Sequence, residues 1–219
     1  MAATKHAAVP SLIKAVRISH YGGSEQLKYE EAPQPEIGPG QVLAKVRYSC
    51  VNPIDWKIRE GDLKEARPAI FPLTLGQDFA GEIVAGGGDS GRFHAGERVF
   101  GFGEGTYAEF TAAAINYIAA IPEKMEFSVA VALPTSGLTA LQAIRDYVQP
   151  KPGTRILIHG AAGAVGSFAT QIAKLWGAQV IGRLRAKTSC TCAPWVTCRW
   201  WTTNRSGLKA WGWWTRCWT

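Results

Sequence analysis

The residues whose types and spacing are best suited to chemistry lie in Gly160-Ala161-Ala162-Gly163-Ala164-Val165-Gly166. Small residues at Ala161, Gly163 and Gly166 follow an apolar run at 156–158. They precede Phe168, Ile172, Ala173 and Trp176, which recur at helical spacing. The pattern predicts a buried strand, a tight turn and a helix, with a second strand at 179–181 after Gly177. That is the front of a strand–helix–strand unit that binds a dinucleotide. A pyrophosphate needs close backbone approach, which a side chain would obstruct, and the helix start offers unpaired N–H groups and a positive end to the anion. All seven residues from Gly160 to Gly166 are therefore candidate cofactor contacts. Alanine at the first small position leaves the motif imperfect, and an ordinary strand-to-helix turn is the plain alternative. The flanking strand and helix favour the nucleotide reading.

The elements that must position this turn are also legible. Residues 128–147 carry a helical period through Ala132, Leu133, Leu138, Leu141, Ile144 and Tyr147, closed by Pro150 and Pro152. Upstream, short strands are predicted at 13–18, 27–31, 42–51, 76–84, 96–101 and 107–110, separated by Gly/Pro turns. In the third, Val42, Ala44, Val46 and Tyr48 share one side and Lys45 and Arg47 the other. Asn52-Pro53 opens a helical turn, with proline well placed in its first turn and asparagine a preferred cap. The expected fold is a barrel-like β domain leading into an α/β domain, with the ligand near 128–147.

Composition narrows the function classes. A chain of 219 residues holds one large or two modest domains. No apolar run is long enough to span a bilayer. Residues 1–13 lack a signal-peptide core and are expected to be a flexible extension of a cytoplasmic protein. Before residue 182 the one cysteine is Cys50, which suits a reducing compartment. The net charge of +7 suggests an anionic partner, but position removes most of that force. From 182 onward lie seven basic residues (Arg183, Arg185, Lys187, Arg199, Arg205, Lys209 and Arg216) and no acidic ones, so the excess sits entirely in the tail.

Five ordered segments carry a family resemblance. They are Val51-Asn52-Pro53-Ile54-Asp55-Trp56-Lys57-Ile58-Arg59-Glu60-Gly61; Leu75-Gly76-Gln77-Asp78-Phe79-Ala80-Gly81-Glu82-Ile83-Val84; Tyr107-Ala108-Glu109; Gly137-Leu138-Thr139-Ala140-Leu141-Gln142-Ala143; and residues 159–166. With them the chain resembles the zinc-free quinone oxidoreductase branch of the medium-chain dehydrogenase/reductase superfamily. The resemblance implies a GroES-like substrate domain over 14–127 and the start of a Rossmann domain over 128–181. It implies NADPH as cofactor and hydride transfer to a quinone or electron-poor enone. Its implied partners are small molecules, with no nucleic acid or membrane, and its members are often homodimers. By resemblance, Asn52 lines the nicotinamide and substrate pocket, its alternative being the helix cap. Thr139 likewise meets the nicotinamide end of the cofactor, its alternative being helix packing. Tyr107 lines the cleft or is simply a buried aromatic. Zinc alcohol dehydrogenases carry cysteine and histidine where this chain has Asn52 and Gln77, and residues 102–107 lack the cysteines of a structural zinc lobe. Amides are not usual zinc ligands, so no metal is expected and hydrogen bonds must polarise the substrate carbonyl. Gly61-Asp62-Leu63 lacks the tyrosine that acyl-thioester reductases place there, which argues against that activity.

After residue 181 the family pattern ends. Residues 182–219 hold seven of the nine tryptophans and four of the five cysteines, with no helical or strand period. Such crowding does not resemble a soluble surface. The genetic code supplies a reason. Tryptophan has the single codon TGG; read one base early, Trp200-Trp201 gives valine and Trp201-Thr202 aspartate, and Trp213-Trp214-Thr215 repeats the pair. With permitted codon choices, 190–219 then encodes a helix end and two strands of family character. The tail is therefore expected to be a frameshift product beginning near Gly182, disordered or aggregation-prone. It would leave Ile156, Ile158, Val180 and Ile181 partly uncovered and activity impaired. Arg183, Arg185 and Lys187 would suit an NADP phosphate but fall in this segment. The alternative is an inactive fragment, or a module binding nucleic acid or membrane through its basic, aromatic tail. The gene decides the origin of the tail: the frame one base early should stay open from codon 182 to the end, and an early stop codon there would refute the reading.

Overall fold

The computed structural model describes residues 10–88, 91–185, 199–204 and 207–213, from residue 184 onward by backbone path alone. Among them, eight strands precede the helical run: β1 (Leu12–Ile18), β2 (Lys28–Pro33), β3 (Gln41–Ser49), β4 (Leu73–Thr74), β5 (Asp78–Gly87), β6 (Arg98–Phe102), β7 (Phe110–Ala114) and β8 (Ile118–Ala120). Ladder hydrogen bonds divide them into two sheets, ordered β2-β1-β4 and β7-β3-β5-β6-β8, with antiparallel neighbours throughout. Neither sheet closes into a single cylinder. The core lies on both faces of the larger sheet. Val42 and Ala44 pack with Phe79, Ile83, Phe93 and Val99, while Leu43 packs with Ile13 and Phe110. Three successive buried residues in β3 explain why alternation holds only partly there. Tyr48, expected on the apolar side, is exposed beyond a register shift. At Gly81 a Cβ would come within 2.2 Å of Lys45 O, so β3 and β5 meet this closely only because residue 81 is glycine.

Helix α1 (Pro53–Glu60) begins with proline and stops at Gly61, whose φ of +85° and N–H bonds to the Ile58 and Lys57 carbonyls form a left-handed cap. The strand expected at 107–110 starts later, at Phe110. Residues 107–109 instead divide their backbone bonds between the sheets. Tyr107 O accepts from Val16 N–H at 2.7 Å, Glu109 N–H donates to Lys14 O at 3.0 Å, and Glu109 O accepts from Val46 N–H at 2.9 Å. A segment crossing between two sheets carries the same apolar alternation as a strand.

The chain divides into two compact units, Met1–Pro134 and Thr135–Thr219. The first ends with α2 (Phe127–Ala130). The helix expected over 128–147 is a broken run, in which α3 (Leu138–Gln142) is flanked by π-helical turns at Leu133–Gly137 and Ala143–Val148. Pro134 has no N–H with which to close an ordinary turn, which accounts for the first widening. Next come β9 (Arg155–His159), α4 (Ala164–Leu175), β10 (Gln179–Arg185), β11 (Arg199–Asn204) and β12 (Gly207–Trp213). Their sheet order is β12-β11-β10-β9, the first three in chain order being parallel and β12 antiparallel. The β11-β10-β9 arrangement is the 3-2-1 half of a dinucleotide-binding sheet.

This corrects the expectation for the tail. β10 continues to Arg185, and 199–204 and 207–213 join the sheet as strands rather than forming a structureless arm. Backbone ladders impose no period on composition, so a strand can form where side-chain patterning gives no sign of one. The remaining tail positions, including Cys190, Cys192, Trp195 and Cys198, lie outside the described residues, as does most of the N-terminal extension. Coverage of the sheet is also corrected in part. α4 and its neighbours bury Val180 and leave Ile156 and Ile158 half-buried, while on the opposite face Ile181 is half-buried and its partner Leu157 is 48% exposed.

Phe79 is fully buried in the larger sheet's core. Phe79→Ala should destabilise the first unit by about 3–5 kcal/mol, measured by urea denaturation; a shift under about 1 kcal/mol would show that this core is not packed as described.

Candidate active site

Two groups of candidate residues emerge, one in each unit. In the second unit β9 runs straight into the glycine turn. Gly160 adopts φ +67°, and its N–H and that of Ala161 both point to Arg183 O, at 2.9 and 3.4 Å, tying the turn to β10. Gly163 N–H donates to Gly160 O at 2.8 Å, and Gly163 then takes the N-cap of α4 with extended backbone. A Cβ on Gly166 would meet Gly160 O at 2.2 Å, so the helix start packs directly on the turn. Ala161 is buried, Ala162 half-buried, and Gly163, Ala164 and Val165 exposed. The helical hydrogen bonding starts with Ser167 N–H to Gly163 O, at 2.9 Å. The N–H groups of Ala164, Val165 and Gly166 precede it and have no partner within the helix. A narrow glycine turn under an open helix N-terminus is a cradle of the right kind for a pyrophosphate.

Thr139, on α3, is exposed and donates its hydroxyl to Thr135 O at 2.6 Å. The adjacent Ala140 is fully buried in the cluster that also contains Ala161. Arg183 Nη1 lies 3.4 Å from His159 Nδ1 at the end of β9.

In the first unit Asn52 occupies the N-cap of α1, as its capping alternative anticipated, and its side-chain nitrogen is engaged as well. Asn52 Nδ2 donates to Asp78 Oδ2 at 3.0 Å. Asp55 forms the other half of a capping box at the helix start, its Oδ2 accepting the Asn52 backbone N–H at 2.7 Å and also the Tyr107 hydroxyl at 2.8 Å. Ser49 Oγ holds the Asp78 carbonyl at 2.9 Å and contacts Thr106 Oγ1 at 2.8 Å. Asn52, Asp55, Asp78 and Thr106 are all buried. The structure thus joins Asn52 to Asp55 and Tyr107, and adds Asp78, to which the sequence reading gave no role. A signal was present: an acid at the head of the buried run Phe79-Ala80 needs a partner inside the protein.

Burial pushes the Asp55 carboxyl above the usual carboxylate range. Asp78 adds to the rise, and the bonds from Asn52 and Tyr107 oppose it. Its Oδ1 is buried without a hydrogen-bond partner, which fits a carboxyl that gives up its proton reluctantly. Burial, then the bond to Asp55, raises the Tyr107 phenol strongly. Burial also raises the Cys50 thiol, assisted by Asp78 and Asp55. Among the described residues, no group of three or more His, Cys, Asp or Glu is placed to hold a metal ion.

Comparison with known proteins supplies the family. The alcohol dehydrogenase GroES-like domain matches residues 38–123. The quinone oxidoreductase of Pongo abelii is 38% identical over 174 residues, covering 78% of this chain and 52% of its own length. Among solved structures, the quinone oxidoreductase from Coxiella burnetii superposes with a TM-score of 0.78 at 33% identity, over 89% of this chain and 63% of the other. A mycobacterial protein complexed with NADPH gives a TM-score of 0.72 at 32% identity, over 78% of this chain and 52% of the other. The chain belongs to the medium-chain dehydrogenase/reductase superfamily. Within it, the chain falls in the quinone oxidoreductase-like branch, as the five segments implied. It spans about half the length of the curated relatives it matches.

Two predictions follow from this geometry. Gly166→Ala forces the turn and helix apart and should weaken dinucleotide binding at least tenfold by fluorescence titration; undiminished affinity would mean that the turn does not hold the phosphates. Asp55 is a raised acid, so between the ordinary carboxylate range and its folded value the native state binds the extra proton. Stability therefore falls as pH rises through that window. Asp55→Asn should remove this slope and stabilise the protein on its alkaline side, measured by urea denaturation across pH.

Proposed function

We propose that this chain carries the substrate domain and part of the nucleotide domain of a zinc-independent, NADPH-dependent oxidoreductase that reduces quinones or electron-poor enones. One observation carries the reading. The turn over Gly160–Gly166 packs its helix so closely that Gly166 admits no side chain, while the first N–H groups of α4 stay unpaired within the helix. Gly160, Ala161, Ala162, Gly163, Ala164, Val165 and Gly166 are the residues that would hold the cofactor's pyrophosphate. NADPH, rather than NADH, is favoured by likeness to the mycobacterial protein complexed with NADPH. The quinone substrate is favoured by the names of the relatives.

Bound NADPH would supply a hydride. The protein's part is to bind, orient and polarise. One N–H of the Asn52 amide is committed to Asp78, and the second is the donor we assign to the substrate carbonyl. A quinone accepting a hydride needs one proton to become the hydroquinone. Tyr107, its phenol raised by burial and by Asp55, is a poor source, so that proton comes from solvent. Turnover by this chain is expected to be low, because among the described residues β9 stands at the sheet edge and only one half of a dinucleotide crevice is built.

The test is titration of the purified chain with NADPH and NADH, followed by quinone-dependent NADPH oxidation with and without a chelator. Saturable binding weaker than micromolar, a preference for NADPH, and slow chelator-insensitive reduction that falls further in Asn52→Ala are expected. Absence of saturable binding by either nucleotide would overturn the reading.

A further inference from the structure

Residues 61–71, which follow α1, are tied down on both sides of Arg67. Leu63 and Phe71 pack against the cluster of Ile18, Ile58 and Leu75, as Ile54 and Tyr107 also do. Arg67 N–H donates to Leu63 O at 2.7 Å, and Ala69 N–H donates to the Tyr21 hydroxyl at 2.9 Å. The Tyr21 ring in turn stands edge-on to Phe71. The segment is thereby folded back onto α1 and Tyr107. Arg67 itself is exposed, and among the described residues its guanidinium makes no hydrogen bond or ion pair. It is nonetheless near enough to act on Asp55. Burial raises that carboxyl, and the Arg67 charge is one of the influences that oppose the rise. The cations of α1 are occupied: Arg59 donates to Gly22 O and to Glu60, and Lys57 Nζ lies 5.7 Å from the centre of the Trp56 ring.

We infer that Arg67 is a specificity residue that recognises an anionic substituent, a carboxylate or sulfonate, on the quinone or enone held at Asn52. The inference rests on the reading of the first unit as a substrate domain. Asp55, the group on which Arg67 acts, accepts the Asn52 backbone N–H at 2.7 Å, so the guanidinium stands at the same end of α1 as the amide assigned to the substrate carbonyl. Asp55 and Asp78 are buried and give their Oδ2 atoms to Tyr107 and Asn52, whereas Arg67 is exposed to solvent. An arginine with unspent donors meets an oxyanion through two parallel hydrogen bonds, which a neutral substituent does not offer. A guanidinium that supports no other side chain is also replaceable at little cost to the fold, so its loss is read in binding rather than in stability.

Two quinones of the same ring system test it: anthraquinone-2-sulfonate, an anion, and anthraquinone-2-methanol, which is neutral. Both are titrated at low salt against the wild-type chain, Arg67→Gln, which removes the charge, and Arg67→Glu, which reverses it. The wild type should bind the sulfonate about three- to fivefold more tightly than the neutral probe, the worth of one exposed ion pair, and the preference should shrink as salt is added. Arg67→Gln should bind the two alike, while its affinity for the neutral probe stays at the wild-type value and reports an intact site. Arg67→Glu should prefer the neutral probe. Equal binding of the two probes by the wild type at low salt, or a preference for the sulfonate that survives in Arg67→Glu and so belongs to the basic tail, would overturn this inference alone. Failure of both probes to bind the wild type would overturn the reading of the first unit as a quinone-binding domain, and this inference with it.

Discussion

The first unit's candidate site depends on one buried carboxylate. Asp55 Oδ2 accepts from the Asn52 backbone and from the Tyr107 hydroxyl, and so joins the start of α1 to the segment crossing between the two sheets. The same Tyr107 bonds through its backbone to Val16 and Leu75. Its ring lies where a Cβ on Gly76 would come within 2.4 Å, so glycine there is a condition of the network. Helix start, sheet crossing and the approach to β5 are thus fixed through one anion that the interior tolerates only because two donors reach it. The cost is visible in the unpartnered Oδ1 and the raised affinity for a proton. Buried polar groups of this kind hold geometry more than they add stability.

The second unit solves the opposite problem. Its turn satisfies internally the groups that shape it: Gly160 and Ala161 donate to Arg183 O, and Gly163 donates to Gly160 O. The donors left over are those at the mouth of α4. A backbone that closes its own turn bonds and leaves the helix start open holds its shape without using the donors that an anion would take under the proposed function. Ala161 at the first small position fits this division. Its side chain turns into the core with Ala140 and Ala169, away from the exposed mouth, so the departure from glycine there obstructs nothing.

Local signals made most of this architecture legible. Pro53 and Gly61 bracket α1, the apolar run at 156–158 lies within β9, and Gly163 caps α4, each through chemistry confined to a few residues. What the sequence did not reveal depends on partners distant in the chain. Residues 107–109 carry strand-like alternation but divide their bonds between two sheets, so β7 begins three residues later than expected. Tyr48 shares a pattern with Val42 and Ala44, yet the register shift in β3 turns it outward. Asp78 was visible as a residue and invisible as a partner, because its link to Asn52 spans 26 positions. β11 and β12 were missed because the pairing of β11 with β10 and of β12 with β11 is a backbone affair, indifferent to the crowded tryptophans that made the tail look structureless.

Asn52 and Thr139 illustrate a shared principle. Each was singled out by type and family position, and each had a plain structural alternative: a cap for Asn52, helix packing for Thr139. In both cases the side chain has one polar group already engaged, Asn52 Nδ2 with Asp78 and the Thr139 hydroxyl with Thr135 O. Such engagement does not argue against function. A free amide can present nitrogen or oxygen and a free hydroxyl can donate or accept, so neither discriminates between ligands. Once a bond has taken one capability, what remains is a definite polarity held in a definite direction, which is what recognition requires. Under the proposed function, the bonds to Asp78 and to Thr135 O set which polar atoms these two side chains have left for a ligand.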